Sequence, residues 1–279
     1  MIGCFSQVAA PNPPHQGASS LRLKADLHLH TGDDPLDYVA HSSEEMIDHA
    51  AQMGFDVMAI TNHDFMSHSE ELADYAASRG IVLVPGVEAT IESRHVLLYN
   101  FNYWDAPPHT FEDLYRLRRD NPQLLAVAPH PFFPSQFCLQ GKLLEHLELF
   151  DGIEYSHFYT KNMNFNKKAV ELARRSGRLL VGTSDSHFLW QMGATHSYIE
   201  AREKSLPAVL DALRQGRVEV RTDPLPVADL LLRIRKYPSL KVRRLARRNG
   251  YRAAGEILAL RSRVLNDTSA RRERSVPGA

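Results

Sequence analysis

Potential metal ligands recur in this chain at one kind of place, the end of an apolar, β-prone run, and that recurrence limits the folds open to it. His28 and His30 close the run Leu23-Lys-Ala-Asp-Leu-His-Leu-His and are followed by Thr31-Gly32-Asp33-Asp34. In an extended strand residues i and i+2 point to the same side, so both imidazoles can reach one ion. Downstream come Ile60-Thr-Asn-His63-Asp64, Pro85-Gly-Val-Glu88, Arg94-His95, Ala128-Pro-His130-Pro131 and Thr183-Ser-Asp185-Ser-His187. A single His-x-His arises often by chance or in cores. The same chemistry repeated at strand ends predicts a multinuclear metal site.

The elements between these positions alternate. Strands are expected at Ala25–His30, Val57–Thr61, Ile81–Val84, His95–Phe101, Leu124–Ala128, Gly152–Tyr155, Leu179–Gly182 and Ser197–Glu200. Helical patterns separate most of them: Ser43–Met53, Ser69–Arg79, Thr110–Arg118, Lys142–Leu149, Phe165–Arg175 and Leu206–Arg214. Ser42 or Ser43 with Glu45 reads as a helix start, and Gly54 and Gly80 read as stops. The short link between Ile81–Val84 and His95–Phe101 suggests a hairpin-like insertion. Alternating β and α units predict an α/β fold with a mainly parallel sheet. The count fits a closed barrel and an open sheet alike. In a barrel, loops at the C-terminal ends of the strands would gather these distant residues into one mouth; His95, which begins its strand, departs from that rule.

With 279 residues the chain is long enough for one barrel-sized domain and a modest appendage. We expect a leader over residues 1–20, rich in Pro, Ser and Gly, a metal-dependent hydrolase domain over 21–222, and a basic helical extension over 223–279. The formal charge is zero, yet 14 of the 33 Lys/Arg and only 3 of the 33 Asp/Glu lie from Leu231 onward. Such an excess suits an acidic partner or a solvated basic helix lying on the acidic body. Cys4 and Cys138 are too few for a disulfide framework and lack zinc-finger spacing. No run of apolar residues is long enough to span a bilayer, and no secretory signal is evident, so a cytoplasmic setting is expected.

Taken in order, Asp26-Leu-His-Leu-His-Thr31, Ala59-Ile-Thr-Asn-His-Asp64, Pro85-Gly-Val-Glu88, His95-Val-Leu-Leu-Tyr99, Ala128-Pro-His130-Pro131 and Ser184-Asp-Ser-His187 resemble the successive motifs of the PHP (polymerase and histidinol phosphatase) family. The likeness runs from about Lys24 to Glu200. It implies a distorted (β/α)7 barrel, two or three divalent ions (Zn, Mn or Fe), and hydrolysis of a phosphomonoester or phosphodiester through a metal-bound hydroxide. Carried over motif by motif, it implies metal ligands at His28, His30, His63, Glu88, His95, His130, Asp185 and His187, with Glu88 as the bridging carboxylate. The family places a further acidic ligand past the second histidine. Here Asp33, Asp34 or Asp37 can fill that role, and Asp34 is favoured. Asn62 stands where many members carry Asp, a change expected to affect hydrogen bonding around the ligands rather than the ligands themselves. His157 and Asp185 are the expected catalytic residues, His157 as donor of a proton to the leaving oxygen. Arg22 and Arg94 are candidate phosphate clamps.

The chemistry of the donors agrees with that resemblance. Imidazole with carboxylate suits Zn²⁺, Mn²⁺ or Fe²⁺ better than calcium, which prefers oxygen alone. Clustered divalent ions acidify a bound water and neutralise charge on a phosphoryl group. Plainer roles exist for some of these residues: His95 as a half-buried strand histidine, His130 as a rigid loop residue, and Ser184 and Asp185 as helix caps. His15, His41, His49, His68, His109, His146 and His196 are expected at surfaces, with His41 and His68 near enough to the motifs to support ligands. Trp104 and Trp190 are expected to pack, and Trp190 also to line the pocket.

Three functions compete. A phosphoesterase would act on a small phosphorylated substrate or nucleotide. A nuclease variant, 5'–3' exonuclease-like, would trim short nucleic acids, drawing on the basic C-terminal segment, which lacks aromatic platforms for single strands. A module without turnover would bind metal and do no chemistry. An amidohydrolase also begins with His-x-His, but the later motifs favour the phosphoesterase.

Overall fold

The computed structural model describes residues 6–8 and 20–226. The basic stretch from residue 227 onward, and with it most of the expected C-terminal extension, lies outside the described residues, as does Cys4. Among the described residues eleven strands form: β1 (Ser6–Val8), β2 (Leu21–Leu29), β3 (Val57–Ile60), β4 (Val82–Leu83), β5 (Gly86–Ile91), β6 (Arg94–Tyr99), β7 (Leu125–Ala128), β8 (Gly152–Ser156), β9 (Leu179–Thr183), β10 (Thr195–Ala201) and β11 (Val218–Thr222). Six α-helices lie between them: α1 (Ser43–Gln52), α2 (Glu70–Ser78), α3 (Phe111–Asp120), α4 (Gly141–Glu145), α5 (Asn166–Ser176) and α6 (Leu206–Arg214). None of the described helices is long and apolar enough to cross a membrane.

Local signals explain the helix ends. Ser42 caps α1 in a capping box with Glu45, and Thr110 does the same for α3 with Asp113. The stops expected at Gly54 and Gly80 have φ of 70° and 74°, the left-handed conformation that ends a helix cheaply only at glycine. Ser6–Val8, inside the segment expected to be a leader, pairs antiparallel with β11.

The strands form two sheets, in the orders β1-β11-β10-β2-β3-β4 and β5-β6-β7-β8-β9, so a mixed α/β architecture replaces the mainly parallel sheet expected from alternation. The β2–β3, β3–β4, β7–β8 and β8–β9 pairs are parallel. The β10–β2, β10–β11, β5–β6 and β6–β7 pairs are antiparallel. The hairpin falls one strand later than the sequence suggests. It joins β5 to β6, while β4 pairs parallel with β3. The Gly86–Ile91 run that carries Glu88, expected as part of the short link, is a strand of its own.

Leu27, Val57 and Ile199 of the first sheet share one apolar core with Leu97, Val127 and Val181 of the second. Two isolated parallel bridges, His63↔Glu88 and Leu29↔Ser186, join the two edge strands of the second sheet, β5 and β9, to the ends of the interior strands β3 and β2 of the first. Both bridges contain or adjoin the expected ligands, so the meeting of the sheets itself assembles the site. Close approach of β9 to the first sheet depends on Gly182: a Cβ there would lie 2.6 Å from Val220 Cγ1 and 2.8 Å from the His196 carbonyl oxygen.

Candidate metal centre

Four strand ends and one hairpin deliver the side chains. His28 lies at a register shift between Asp26 and Leu29, where β2 gains a residue over β3. Such bulges re-aim side chains next to functional sites. In the β5–β6 hairpin Glu88 faces Leu97 and Thr90 faces His95, which puts Glu88 and His95 diagonally on one face. That diagonal brings in His95, which lies near the start of its strand rather than past its end. His130 follows β7, and Asp185 and His187 follow β9. Asp64, His130 and Asp185 hold left-handed φ values of 49°, 30° and 46°. Strain of this kind, about 1–3 kcal/mol for each non-glycine residue, persists where surrounding structure over-determines it, commonly at functional sites.

Glu88 is the centre. Its Oε2 lies 3.1 Å from His28 Nε2, 3.3 Å from His30 Nε2 and 3.2 Å from His63 Nε2. Its Oε1 lies 2.8 Å from His95 Nδ1 and 3.2 Å from His130 Nε2. Asp185 Oδ1 stands 3.2 Å from His30 Nε2 and 3.5 Å from both His28 Nε2 and His187 Nδ1. The structure therefore gathers every histidine expected to bind metal around two carboxylates.

Behind the imidazoles stands a set of acceptors, one for most of the outward-facing nitrogens. Glu154 Oε1 lies 2.7 Å from His28 Nδ1 and also accepts from the Thr183 hydroxyl, while its Oε2 accepts from the His130 backbone N–H at 2.5 Å. Asp34 Oδ2 is 2.8 Å from Nδ1 of both His30 and His63. Cys138 Sγ is 3.1 Å from His130 Nδ1, and the Asp185 carbonyl oxygen is 3.1 Å from His187 Nδ1. Partners of this sort fix the ring orientation and the tautomer, leaving the other nitrogen free to ligate. Sequence reasoning missed Glu154 and Cys138. The signal for Glu154 was present, a carboxylate in the middle of the apolar strand Gly152–Ser156. Nothing local marks Cys138.

Other expectations can be placed as well. Asn62 is buried; its Oδ1 accepts from the Thr31 N–H at 2.8 Å and its Nδ2 donates to the Thr31 and Ser67 hydroxyls, tying the two ligand loops together. His41 Nε2 lies 3.0 Å from the His30 carbonyl oxygen. His157 is completely buried, its ring 4.3 Å from that of Phe158. Arg22 pairs with Glu219 on the far stretch of β2 and stacks over Tyr198. Arg94 donates to the Gln136 and Cys138 carbonyls. Both arginines thus have structural partners in place of the phosphate proposed for them. Trp190 stacks on Phe188, one residue past His187, and Trp104 packs edge-on against Phe65.

The electrostatics express the same crowding. Burial disfavours charge on the His28 imidazole, but Glu88, Asp185 and Glu154 outweigh it and push its pKa up to about 10. Burial is likewise overcome at His30, His63 and His130, all raised by carboxylate neighbours or, for His130, by Cys138 and Glu88. Burial would raise the carboxyl of Glu88, yet His95, His28 and His63 hold it well below its ordinary range. At Asp26 burial wins and lifts the pKa to about 7. Lone-pair nitrogens facing carboxylates need protons or cations between them. His30 Nε2 is fully buried and makes no well-formed hydrogen bond, although carboxylate oxygens stand 3.2 and 3.3 Å away. A divalent ion fits this donor set. Within it, His28, His30 and Glu88 bring their ligand atoms within 4.8 Å of one another, as do His63, Glu88 and His95, and His30, Asp185 and His187.

The sequence matches the family model of the PHP domain over residues 26–176 and a model described as PHP-associated over residues 164–218. No curated protein matches it. The fold is similar to a two-domain protein from Bacteroides vulgatus that contains a predicted PHP-like metal-dependent phosphoesterase, with TM-score 0.59 and 20% identity over 79% of this chain and 70% of that one. It is also similar to PsfC from Pseudomonas syringae, with TM-score 0.53 and 18% identity over 82% of this chain and 99% of that one. The lesion-specific endonuclease PfuEndoQ from Pyrococcus furiosus aligns with TM-score 0.52 and 14% identity over 72% of this chain and 58% of its own. At these identities the likeness speaks for the fold. The family match itself spans more than half of the chain and contains the candidate ligands from His28 to His130, so this protein belongs to the PHP domain family.

Proposed function

We propose that this chain hydrolyses a phosphoester at a centre of two or three divalent ions, acting on a small phosphorylated substrate or nucleotide. One observation carries the reading: a single buried carboxylate, Glu88, stands within 3.3 Å of five imidazole nitrogens, three on one oxygen and two on the other. His28, His30, Glu88 and Asp185 would hold one ion, and Glu88, His95 and His130 a second. His63 and His187 offer nitrogens for a third. Bound ions of this kind supply Lewis acidity toward phosphoryl oxygens and acidify water.

The residues of the chain do the rest. Glu88 spans the ligand sets and keeps them at fixed spacing. Asp185, held in a left-handed turn, presents one oxygen to three imidazoles. The outer acceptors Glu154, Asp34 and Cys138 keep Nε2 of His28, His30, His63 and His130 directed inward. His157, completely buried with its ring against Phe158, is in this reading the proton donor to the leaving oxygen. The two sheets, bridged beside the ligands through both edge strands of the second, are consistent with the parts of a distorted (β/α)7 barrel. We place the protein in the cytoplasm and the catalytic unit within residues 21–222, with the basic segment beyond as an appendage.

The test is elemental analysis of protein purified without chelators, joined to assays on a panel of phosphomonoesters and phosphodiesters. Two or three metals per chain, with turnover lost in His63→Ala and Asp185→Ala, would support the hydrolase, and preference for diesters would favour nucleic acid. Stoichiometric metal without turnover after Mn²⁺ or Zn²⁺ reconstitution would favour a binding module. A chain that takes up no metal would sink the proposal.

A further inference from the structure

The acidic residues of the loop after β2 do different work. Asp34 has a fully buried side chain and accepts from five donors. Its Oδ1 takes the backbone N–H groups of Leu36 and Asp37, each at 2.8 Å. Its Oδ2 takes His30 Nδ1 and His63 Nδ1 at 2.8 Å and the His63 backbone N–H at 2.9 Å. A carboxylate has about four lone-pair directions, so none remains for a cation. Asp34, His30 and His63 do bring donor atoms within 4.8 Å of one another. The hydrogen bonds nevertheless place Asp34 on the Nδ1 side of both rings, while their Nε2 atoms face Glu88.

Asp37 is placed differently. Its Oδ2 lies 3.1 Å from His187 Nε2, with about a quarter of the side chain exposed. Its backbone N–H is one of the three that Asp34 holds. The His187 and His63 rings are 6.3 Å apart. An oxygen with open directions therefore stands at the edge of the cluster, seated by the residue whose oxygens are all occupied.

We infer that Asp34 is a positioning residue, fixing the Nδ1-protonated tautomer of His30 and His63, and that Asp37 supplies the acidic metal ligand beside His187. This assignment rests on the metal-centre reading above. It separates two of the three acidic residues that the motif leaves as candidates for one role.

Full-length wild type, Asp34→Asn, Asp34→Ala and Asp37→Asn would be loaded with Zn²⁺, analysed for metal content, and titrated against a chromophoric chelator. Histidine ring ¹⁵N spectra of the zinc forms would report the tautomers. Asp37→Asn should lose one metal equivalent while the ring spectra of His30 and His63 stay in place. Asp34→Ala should weaken zinc binding by about 10–100-fold and shift those two ring signals, and Asp34→Asn, which retains one acceptor oxygen, should restore part of both. Loss of a metal equivalent in Asp34→Asn with full stoichiometry in Asp37→Asn would reverse the two roles and overturn the inference. A wild-type chain without zinc would instead defeat the metal-centre reading itself.

Discussion

Nδ1 of His28 lies 2.7 Å from Oε1 of Glu154, a carboxylate with no solvent exposure on β8, while Nε2 of the same ring faces Glu88 at 3.1 Å. The two contacts divide the imidazole between an inner and an outer acid. Glu154 has no exposure to solvent and serves His28, Thr183 and the backbone of His130 together, so it couples the β2, β7 and β9 ends.

Glu154→Gln should therefore weaken metal binding without removing a ligand. Loss of such outer partners typically costs about 10–100-fold in metal affinity. Competition against a chromophoric chelator measures it, and a variant that binds as tightly as wild type would show that His28 needs no such support.

Metal-free stability should depend on pH in a defined direction. His28 has a folded pKa near 10 against an ordinary 6.5, and His30, His63 and His130 are raised too. A raised pKa stabilises the fold fully below the unfolded value, and that contribution fades as pH climbs through the folded one. Glu88 and Asp185 are lowered from ordinary values of 4.5 and 3.8, so their contribution is present above those values and is lost as pH falls through the folded ones. The metal-free chain should be most stable between about pH 4.5 and 6.5. Metal competes for the same sites as protons, so its stabilisation grows with pH. Calorimetry of chelated and reloaded protein at about pH 5.5, 7.5 and 9 should show a widening gap in Tm. A constant gap would contradict the proton competition.

Gly182→Ala should destabilise the fold. The added methyl would sit 2.8 Å from a backbone oxygen that cannot turn aside, as well as against Val220. Overpacking of this kind costs about 1–3 kcal/mol, read as a lower midpoint in urea. An unchanged midpoint would mean that β9 and β10 can separate freely.

Arg94→Ala should lower stability by about 1 kcal/mol, because its guanidinium holds the Gln136 and Cys138 carbonyls. Substrate KM, and its dependence on salt, should not change. A rise in KM with a weaker salt dependence would restore Arg94 as a phosphate contact.

The sequence by itself determined the donor inventory and the helices. Ser42, Thr110, Gly54 and Gly80 act within a few residues, through caps and left-handed φ, so their effect could be read locally. The histidines also stood out, because a polar pair ending an apolar run has few structural uses. Tertiary structure decided what hydrogen bonding across the chain decides. It moved the hairpin to β5–β6, which puts Glu88 diagonal to His95. It split the strands into two sheets and set Glu154 behind His28, 126 residues away in sequence. It also turned Asp34 to the Nδ1 side of His30 and His63, leaving Asp37 at the rim. Residue type fixes which atoms can bind a metal. Which nitrogen of each ring faces inward depends on the acceptor that the fold places on its other side.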